Sequence, residues 1–128
     1  APSGEIPLLE TLGAAVFRGE PGQKFVYQMT PEERRAARCR ETENLRAALA
    51  CPADLLILDE ACAAWQLDMV DPALLRSALL ERPATQELVL TGREPAEWMR
   101  QAADYVTEMH CWRHPYEKGI AARRGVEF

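Results

Sequence analysis

Apolar residues in this chain fall into short continuous runs separated by longer amphipathic stretches. The run Leu55–Leu58 is apolar at every position, as in a central parallel strand that is buried on both faces. Residues 88–90 and 105–107 form further short runs of this kind, and the aromatic stretch 24–29 fits a strand or an extended loop. The pattern therefore predicts a sheet built from several short strands.

The first amphipathic stretch carries signals for both ends of a helix. Thr30 is placed as the N-cap, Pro31 as the first helical residue and Glu33 as the reciprocal partner of a capping box. The helix is expected to run to about Ala50, because Pro52 cannot continue it. Its arginines at positions 34, 35, 38 and 40 alternate with acids, which is typical of a solvated helix face.

Two later stretches predict further helices, one beginning at Asp71 and ending before Pro83, the other covering residues 95–103 with Trp98 and Met99 on its inner face. The apolar stripe of the first consists of Leu74, Leu75, Ala78 and Leu79. Alternating strands and helices indicate the α/β class, with a mostly parallel sheet and flanking helices. A length of 128 residues predicts a single domain over 1–128.

The composition and net charge of the chain limit the kinds of molecule that we expect it to bind. No apolar run is long enough to span a bilayer, and a net charge of -5 argues against nucleic acid held through its phosphates. Residues 1–5 lack the features of a secretory signal, so we expect a soluble protein of the cytoplasm without a membrane partner. The 4 cysteines contain no C-x-x-C pair, which favours buried or half-buried thiols over a zinc site.

Two acids, Asp59 and Glu60, follow the first apolar run directly. Carboxylates at the end of a parallel strand can hold a magnesium ion beside the phosphates of a nucleotide, as in a Walker B element. The alternative is that the acids cap the next helix or simply meet solvent.

A second candidate follows the next run, where Thr91, Gly92 and Arg93 succeed one another. Glycine permits close approach of a ligand to the backbone, and arginine can bind phosphate through two hydrogen bonds. The alternative is an ordinary turn glycine beside an exposed arginine. Because parallel strands end at one edge of a sheet, we expect these residues to converge with Asp59 and Glu60.

Taken in order, these and later motifs resemble the ATP:corrinoid adenosyltransferases of bacterial cobalamin synthesis. The resemblance begins at Gly4, Glu5 and the leucine-rich residues 8–10, and covers essentially the whole chain. The motifs that carry it further on are residues 56–60, 81–83, 89–93, 103–109, 113–119 and 124–128. The family has a P-loop NTPase-like, RecA-like fold, which is therefore the fold that the resemblance implies.

The resemblance implies transfer of the 5′-deoxyadenosyl group of ATP to the cobalt(I) of a corrinoid, with no side-chain nucleophile or base. It assigns the site residues as follows: Phe25 and Tyr27 to the corrinoid, Asp59 and Glu60 to Mg²⁺, and Thr91, Gly92, Arg93, Glu108 and His114 to the nucleotide. It also implies a homodimer and a flavoprotein reductase partner. Without the resemblance, Phe25 and Tyr27 would be interpreted as core residues, and His114 as a surface or packing residue.

The chain departs from the family pattern in one respect, since no G-x-x-x-x-G-K-[ST] phosphate loop occurs among its 128 residues. The first strand and phosphate loop of the fold are thus missing, and Leu55–Leu58 would lack a hydrogen-bonding neighbour unless another segment replaces that strand. Three explanations stay open: a fragment, which the start at Ala1 favours, a segment supplied by another chain, or a homologue without the loop. The last would be a non-catalytic corrinoid- or nucleotide-binding protein.

Overall fold

The computed structural model describes residues 3–19 and 22–123. The chain forms two compact units, residues 17–104 and a terminal unit made of residues 1–16 and 105–128, and each is described by itself. The family motif at residues 124–128 lies outside the described residues. The single domain over 1–128 stays a prediction.

A parallel pair of strands organises residues 17–104. Strand β1, Leu55–Leu58, and strand β2, Glu87–Leu90, are hydrogen-bonded in a register that pairs Leu55 with Glu87 and Leu58 with Leu90. Both strands and their parallel direction were predicted from the apolar runs, and the structure confirms them. The sequence therefore folds as a mixed α/β protein with a two-strand parallel sheet and flanking helices.

The predicted capping box forms at the start of helix α2, Pro31–Ala50. The Glu33 backbone N–H donates to the Thr30 hydroxyl at 3.2 Å, and the Thr30 backbone N–H donates to the Glu33 carboxylate at 2.8 Å. These bonds satisfy backbone donors that a helix start otherwise leaves unpaired. The first predicted helix is thus confirmed at both ends.

The remaining helices are short. They are α1, Ile6–Thr11, in the terminal unit, and α3, Ala61–Gln66, α4, Pro72–Leu80, and α5, Glu97–Ala102, in residues 17–104. The predicted helices at 71–82 and 95–103 are confirmed as α4 and α5, whereas α3 and α1 were not predicted. None of the helices among the described residues has the length and apolarity to cross a membrane.

The core of residues 17–104 lies where α2, α3, α4 and α5 meet one face of the sheet. Its buried cluster consists of Leu45, Cys62, Val70, Leu75, Leu79 and Met99. Leu58 and Leu90 pack against this cluster from the two strands, and Trp98 packs against it from α5. The last residue of each strand therefore contacts the core, and the candidate site residues follow directly after it.

Two predictions of local structure are wrong, and of the two alternatives for residues 24–29, strand or extended loop, the structure shows a loop. Residues 105–107 form no strand, because a strand needs a hydrogen-bonding neighbour and no described segment pairs with them. Residues 24–29 contain a 3-10 turn, Val26–Gln28, and the Phe25 backbone N–H donates to Oε1 of Gln28 at 3.3 Å. The strand β1 is half-buried on one face only, since Leu55 and Ile57 on the other face are 52% and 57% exposed.

That exposure means that no described element buries this face of the sheet. Strand β1 pairs with β2 along one edge, and no other described residue pairs with its second edge. The exposed apolar face continues onto β2 at Val89, which is 42% exposed. The prediction that Leu55–Leu58 would lack one neighbour is confirmed for the described residues.

Candidate functional site

The residues that follow the two strands meet at the carboxyl edge of the sheet, as predicted. The Thr91 hydroxyl donates to the Asp59 carboxylate at 2.5 Å and accepts from the Glu60 backbone N–H at 3.0 Å. The Thr91 backbone N–H extends the ladder by donating to the Leu58 carbonyl at 3.2 Å. One threonine thus joins both acids to the end of β2.

Gly92 passes directly over the start of α3. Its φ is +134°, a backbone conformation that side chains disfavour, and a Cβ added there would lie 2.7 Å from the Cβ of Cys62. The Cys62 backbone N–H lies 3.4 Å from the Thr91 carbonyl, a long hydrogen bond. Glycine is therefore required at position 92 by both the conformation and the space.

Gln66, at the end of α3, holds the next part of the same loop. Its Nε2 donates to the Arg93 carbonyl at 3.2 Å and to the Glu94 carbonyl at 2.5 Å. Glu94 and Glu60 both adopt a left-handed backbone, with φ of 51° and 55°. Such conformations are uncommon for residues other than glycine, and they concentrate at functional sites.

The thiol of Cys62 lies beneath the loop. Burial raises the pKa of Cys62, and the nearby negative charge of Glu60 raises it further. A thiol with a raised pKa stays protonated near neutral pH, and the thiolate is the reactive form. Cys62 therefore serves as packing for the loop.

The donor chemistry at this edge fits a hard divalent cation that also binds phosphate. Asp59 and Glu60 are both exposed, and carboxylate oxygen is the ligand type that Mg²⁺ prefers. No cluster of three or more His, Cys, Asp or Glu side chains suited to a metal occurs in residues 3–19 and 22–123. Two carboxylates match a cation that is completed by water and substrate oxygens rather than enclosed by protein.

The aromatic pair Phe25 and Tyr27 lies on the surface of residues 17–104. The rings are stacked, with centroids 5.5 Å apart and an interplanar angle of 7°, and the residues are 69% and 80% exposed. The interpretation of these residues as core is therefore wrong. Lys24 beside them pairs with Glu33 at 2.6 Å, and this bond, together with one from the Thr30 backbone, lowers the pKa of Glu33.

Glu108 and His114 belong to the terminal unit. His114 caps a 3-10 turn, Pro115–Lys118, because its Nδ1 accepts from the Tyr116 backbone N–H at 3.1 Å. Glu108 lies 3.7 Å from His110. His114 is thus an exposed residue with a local capping role, and the assignment of both residues to the nucleotide stays a prediction.

Sequence reasoning missed Cys62 and Gln66, although a signal for them exists. The two residues are four positions apart just after the acids, which places them on one face of a helix. Recognising α3 would have shown that this face turns toward whatever follows β2. The prediction of buried or half-buried thiols holds for Cys62 and Cys51, whereas Cys39 and Cys111 are exposed.

Comparison with known proteins agrees with the motifs. The family model described as ATP:corrinoid adenosyltransferase BtuR/CobO/CobP matches residues 1–128. A corrinoid adenosyltransferase of Pseudomonas aeruginosa is 33% identical over 109 residues, which are 84% of this chain and 54% of that protein. One from Escherichia coli is 30% identical over 129 residues, covering 99% of this chain and 65% of that protein.

A corrinoid adenosyltransferase of a Sinorhizobium species is 41% identical over a shorter stretch of 75 residues, which is 58% of this chain and 35% of that protein. The chain thus spans about half to two thirds of the length of the Pseudomonas and Escherichia relatives, 54% and 65% respectively. The match of the family model over the full sequence nevertheless decides the family. This chain belongs to the ATP:corrinoid adenosyltransferase family.

Proposed function

We propose that the chain acts in the transfer of the 5′-deoxyadenosyl group of ATP to the cobalt(I) of a corrinoid, in cobalamin biosynthesis or salvage. The observation that carries the proposal is the junction of Asp59 and Glu60 with the Thr91–Arg93 segment at the carboxyl ends of two parallel strands. Ligands of α/β proteins collect at that edge. Family membership supplies the substrates, and a P-loop NTPase-like arrangement is the fold that suits them.

The proposed reaction requires little covalent chemistry from the side chains of the protein. The electron pair of cobalt(I) in the substrate forms a bond to C5′ of ATP, the C5′–O bond breaks, and triphosphate leaves with that electron pair. No side-chain nucleophile or base is needed, and the Cys62 thiol beside the loop is buried. The work of the side chains is to orient C5′, exclude water and stabilise the charge on the leaving group.

Each group at the sheet edge suits a part of the nucleotide. Asp59 and Glu60 would hold Mg²⁺, which supplies positive charge beside the triphosphate when it is bound. The guanidinium of Arg93 makes no ion pair with any described residue and would meet a phosphate. Gly92 has no side chain to obstruct that approach, and Thr91 fixes the acids.

The corrinoid would lie against the exposed stack of Phe25 and Tyr27. Two parallel rings that are mostly exposed offer a flat apolar surface, which suits a large macrocycle and can keep an axial base away from the cobalt. Glu108 and His114 would complete the nucleotide side. A homodimer in the cytoplasm, supplied with electrons by a flavoprotein reductase, is the setting that we propose for this reaction.

The test compares two glutamates at opposite ends of the sheet. Glu60→Gln should weaken Mg²⁺-dependent ATP binding in isothermal titration on the order of tenfold, because a ligand of the cation loses its charge. Glu87→Gln is the matched control, since Glu87 is exposed at the start of β2. Equal affinities of the two variants would contradict the proposed metal site.

A second function is binding of the corrinoid without catalysis, and the exposed aromatic stack of Phe25 and Tyr27 supports it. Such a protein would bind reduced corrinoid through Phe25 and Tyr27 without measurable ATP binding. The two functions are distinguished by titrating the chain with ATP and Mg²⁺, then with reduced corrinoid, and by following the light-sensitive cobalt–carbon product. Product formation supports the transferase, and corrinoid binding alone supports the second function.

A further inference from the structure

One side chain holds the segment that carries Arg93. The loop formed by residues 91–94 has three carbonyl oxygens engaged by α3: Thr91 by the Cys62 backbone N–H, and Arg93 and Glu94 by Nε2 of Gln66. The Arg93 backbone thus lies between two attachments to the same helix. Its guanidinium, in contrast, makes no bond to any of the described residues.

We propose that Gln66 is a positioning residue for the nucleotide, which acts by fixing the turn from which Arg93 extends. The proposal rests on the function proposed above, because it assigns the purpose of the turn to the phosphate that Arg93 would bind. It adds a residue that the motifs did not indicate. It also makes α3 the element that links the two acids to the arginine.

The reason lies in the geometry of the backbone at residues 93 and 94. In an extended strand, successive carbonyls point in opposite directions. Here the carbonyls of Arg93 and Glu94 both reach one nitrogen atom, at 3.2 and 2.5 Å, and the left-handed φ of Glu94 accompanies this reversal. Two converging carbonyl dipoles repel each other unless a donor lies between them, and the amide group of glutamine provides two N–H bonds from one nitrogen.

Gln66 is also a position at which this role can be tested without damage to the core. The residue is exposed, while the buried anchor of α3 is Cys62, which is 4% exposed. Replacing Gln66 by Glu keeps the shape of the side chain, removes both donors and places a carboxylate oxygen against two carbonyl oxygens. Gln86→Glu is the matched control, because Gln86 also donates from Nε2 to a carbonyl, that of Ala53, at 3.0 Å and at the other end of the sheet.

The first experiment measures the affinity of the whole chain for ATP with Mg²⁺ and for reduced corrinoid. Gln66→Glu should weaken ATP binding on the order of tenfold, the loss of two modest hydrogen bonds, and leave corrinoid binding within about twofold. Gln66→Lys, which restores donors that can reach the carbonyls, should recover most of the ATP affinity. Equal loss of both ligands, no rescue by lysine, or an equal effect of Gln86→Glu would overturn the proposal.

The second experiment needs no ligand. Hydrogen exchange of the Cys62 amide, which donates to the Thr91 carbonyl, and alkylation of the Cys62 thiol beneath the loop should both become faster in Gln66→Glu and stay unchanged in Gln86→Glu. Unchanged exchange and alkylation overturn the positioning role, whatever the chain binds. A faster loop in a chain whose unaltered form binds no ATP overturns the proposed function and the purpose assigned to the turn, while it supports the hold of Gln66 on the backbone.

Discussion

The two compact units use their apolar side chains in opposite ways. In residues 17–104 the helices bury a continuous cluster, in which Leu75 is only 2% exposed. In the terminal unit none of the described residues is buried, and Tyr105, Met109 and Trp112 are each at least 90% exposed, at 93%, 93% and 90%. Apolar residues alone therefore do not make a core, since they need facing elements that cover them.

The two units thus differ in kind: one contains a buried core, and the other exposes its apolar side chains. Residues 17–104 contain the sheet, the core and the acid-threonine junction, so the proposed nucleotide edge rests on the stable part. The apolar side chains of the terminal unit are of the kind that marks contact surfaces when they are exposed together.

The largest expected effect comes from removing core volume. Leu75→Ala should lower the free energy of unfolding by about 2–5 kcal/mol, because it leaves a cavity among buried neighbours. Trp112→Ala in the terminal unit should change it by less than about 0.5 kcal/mol, since that side chain is exposed. Denaturant titrations of both variants measure the contrast. Similar losses would mean that the terminal unit contributes a core of its own.

The next effect isolates the crowding at the sheet edge. Gly92→Ala should destabilise the chain by about 1–3 kcal/mol and weaken ATP binding, because it adds a strained backbone and a Cβ collision with Cys62. Gly13→Ala is the control in the terminal unit, where φ is +90° and no atom lies within 4 Å of the added Cβ. Thermal unfolding measures both, and a larger loss at Gly13 would contradict the role of Cys62.

A smaller effect concerns the cap of α2. Thr30→Ala should cost about 1 kcal/mol in unfolding free energy, because the Glu33 backbone N–H loses its acceptor.

The lowered pKa of Glu33 makes the stability of the chain depend on pH. The stabilisation that Glu33 provides is present above the unfolded pKa, about 4.3, and is lost as pH falls through the lower folded value, so the difference from Glu33→Gln should shrink in acid and disappear below the folded pKa. A difference that persists in acid would contradict the ion pair with Lys24.

The smallest effect is chemical. Cys62 should react with iodoacetamide more slowly than Cys111 of the terminal unit, because it is buried and its pKa is raised. For the same reason its stabilising contribution is complete below the unfolded pKa, about pH 8.5, and is lost as pH rises through the folded value. Peptide mass mapping across that range measures both rates. Equal rates below pH 8 would show that the loop above Cys62 opens freely.

The sequence predicted those elements whose signals are local. The start of α2 is encoded by its own residues Thr30 and Glu33, and β1 and β2 are encoded by their own apolar runs. The contact of Asp59 with Thr91 follows because parallel strands end at the same edge of a sheet. Failures arose where the outcome depends on a partner. Residues 105–107 suit a strand but have no neighbour, and β1 suits a central position but is covered on one face.

The sequence predicted the two segments that form the candidate site, but not the residues of α3 that hold the second segment in place. Gln66 and Cys62 lie in α3, which has only 6 residues and no side-chain hydrogen bond that caps its start. Their contacts depend on the backbone turn at residues 92–94, and hydrophobic patterning does not encode that turn. Positions that brace a loop are thus found from coordinates, and motifs identify the loop itself.

The Thr91 hydroxyl can donate one hydrogen bond, and the groups around it determine which atom accepts that bond. The Glu60 backbone N–H already points at the oxygen, so the proton is directed to the Asp59 carboxylate. A cation that draws Asp59 outward would have to compete with that bond or carry Thr91 along with it. Cation binding at the end of β1 would then shift the end of β2, because the Thr91 hydroxyl oxygen joins the two.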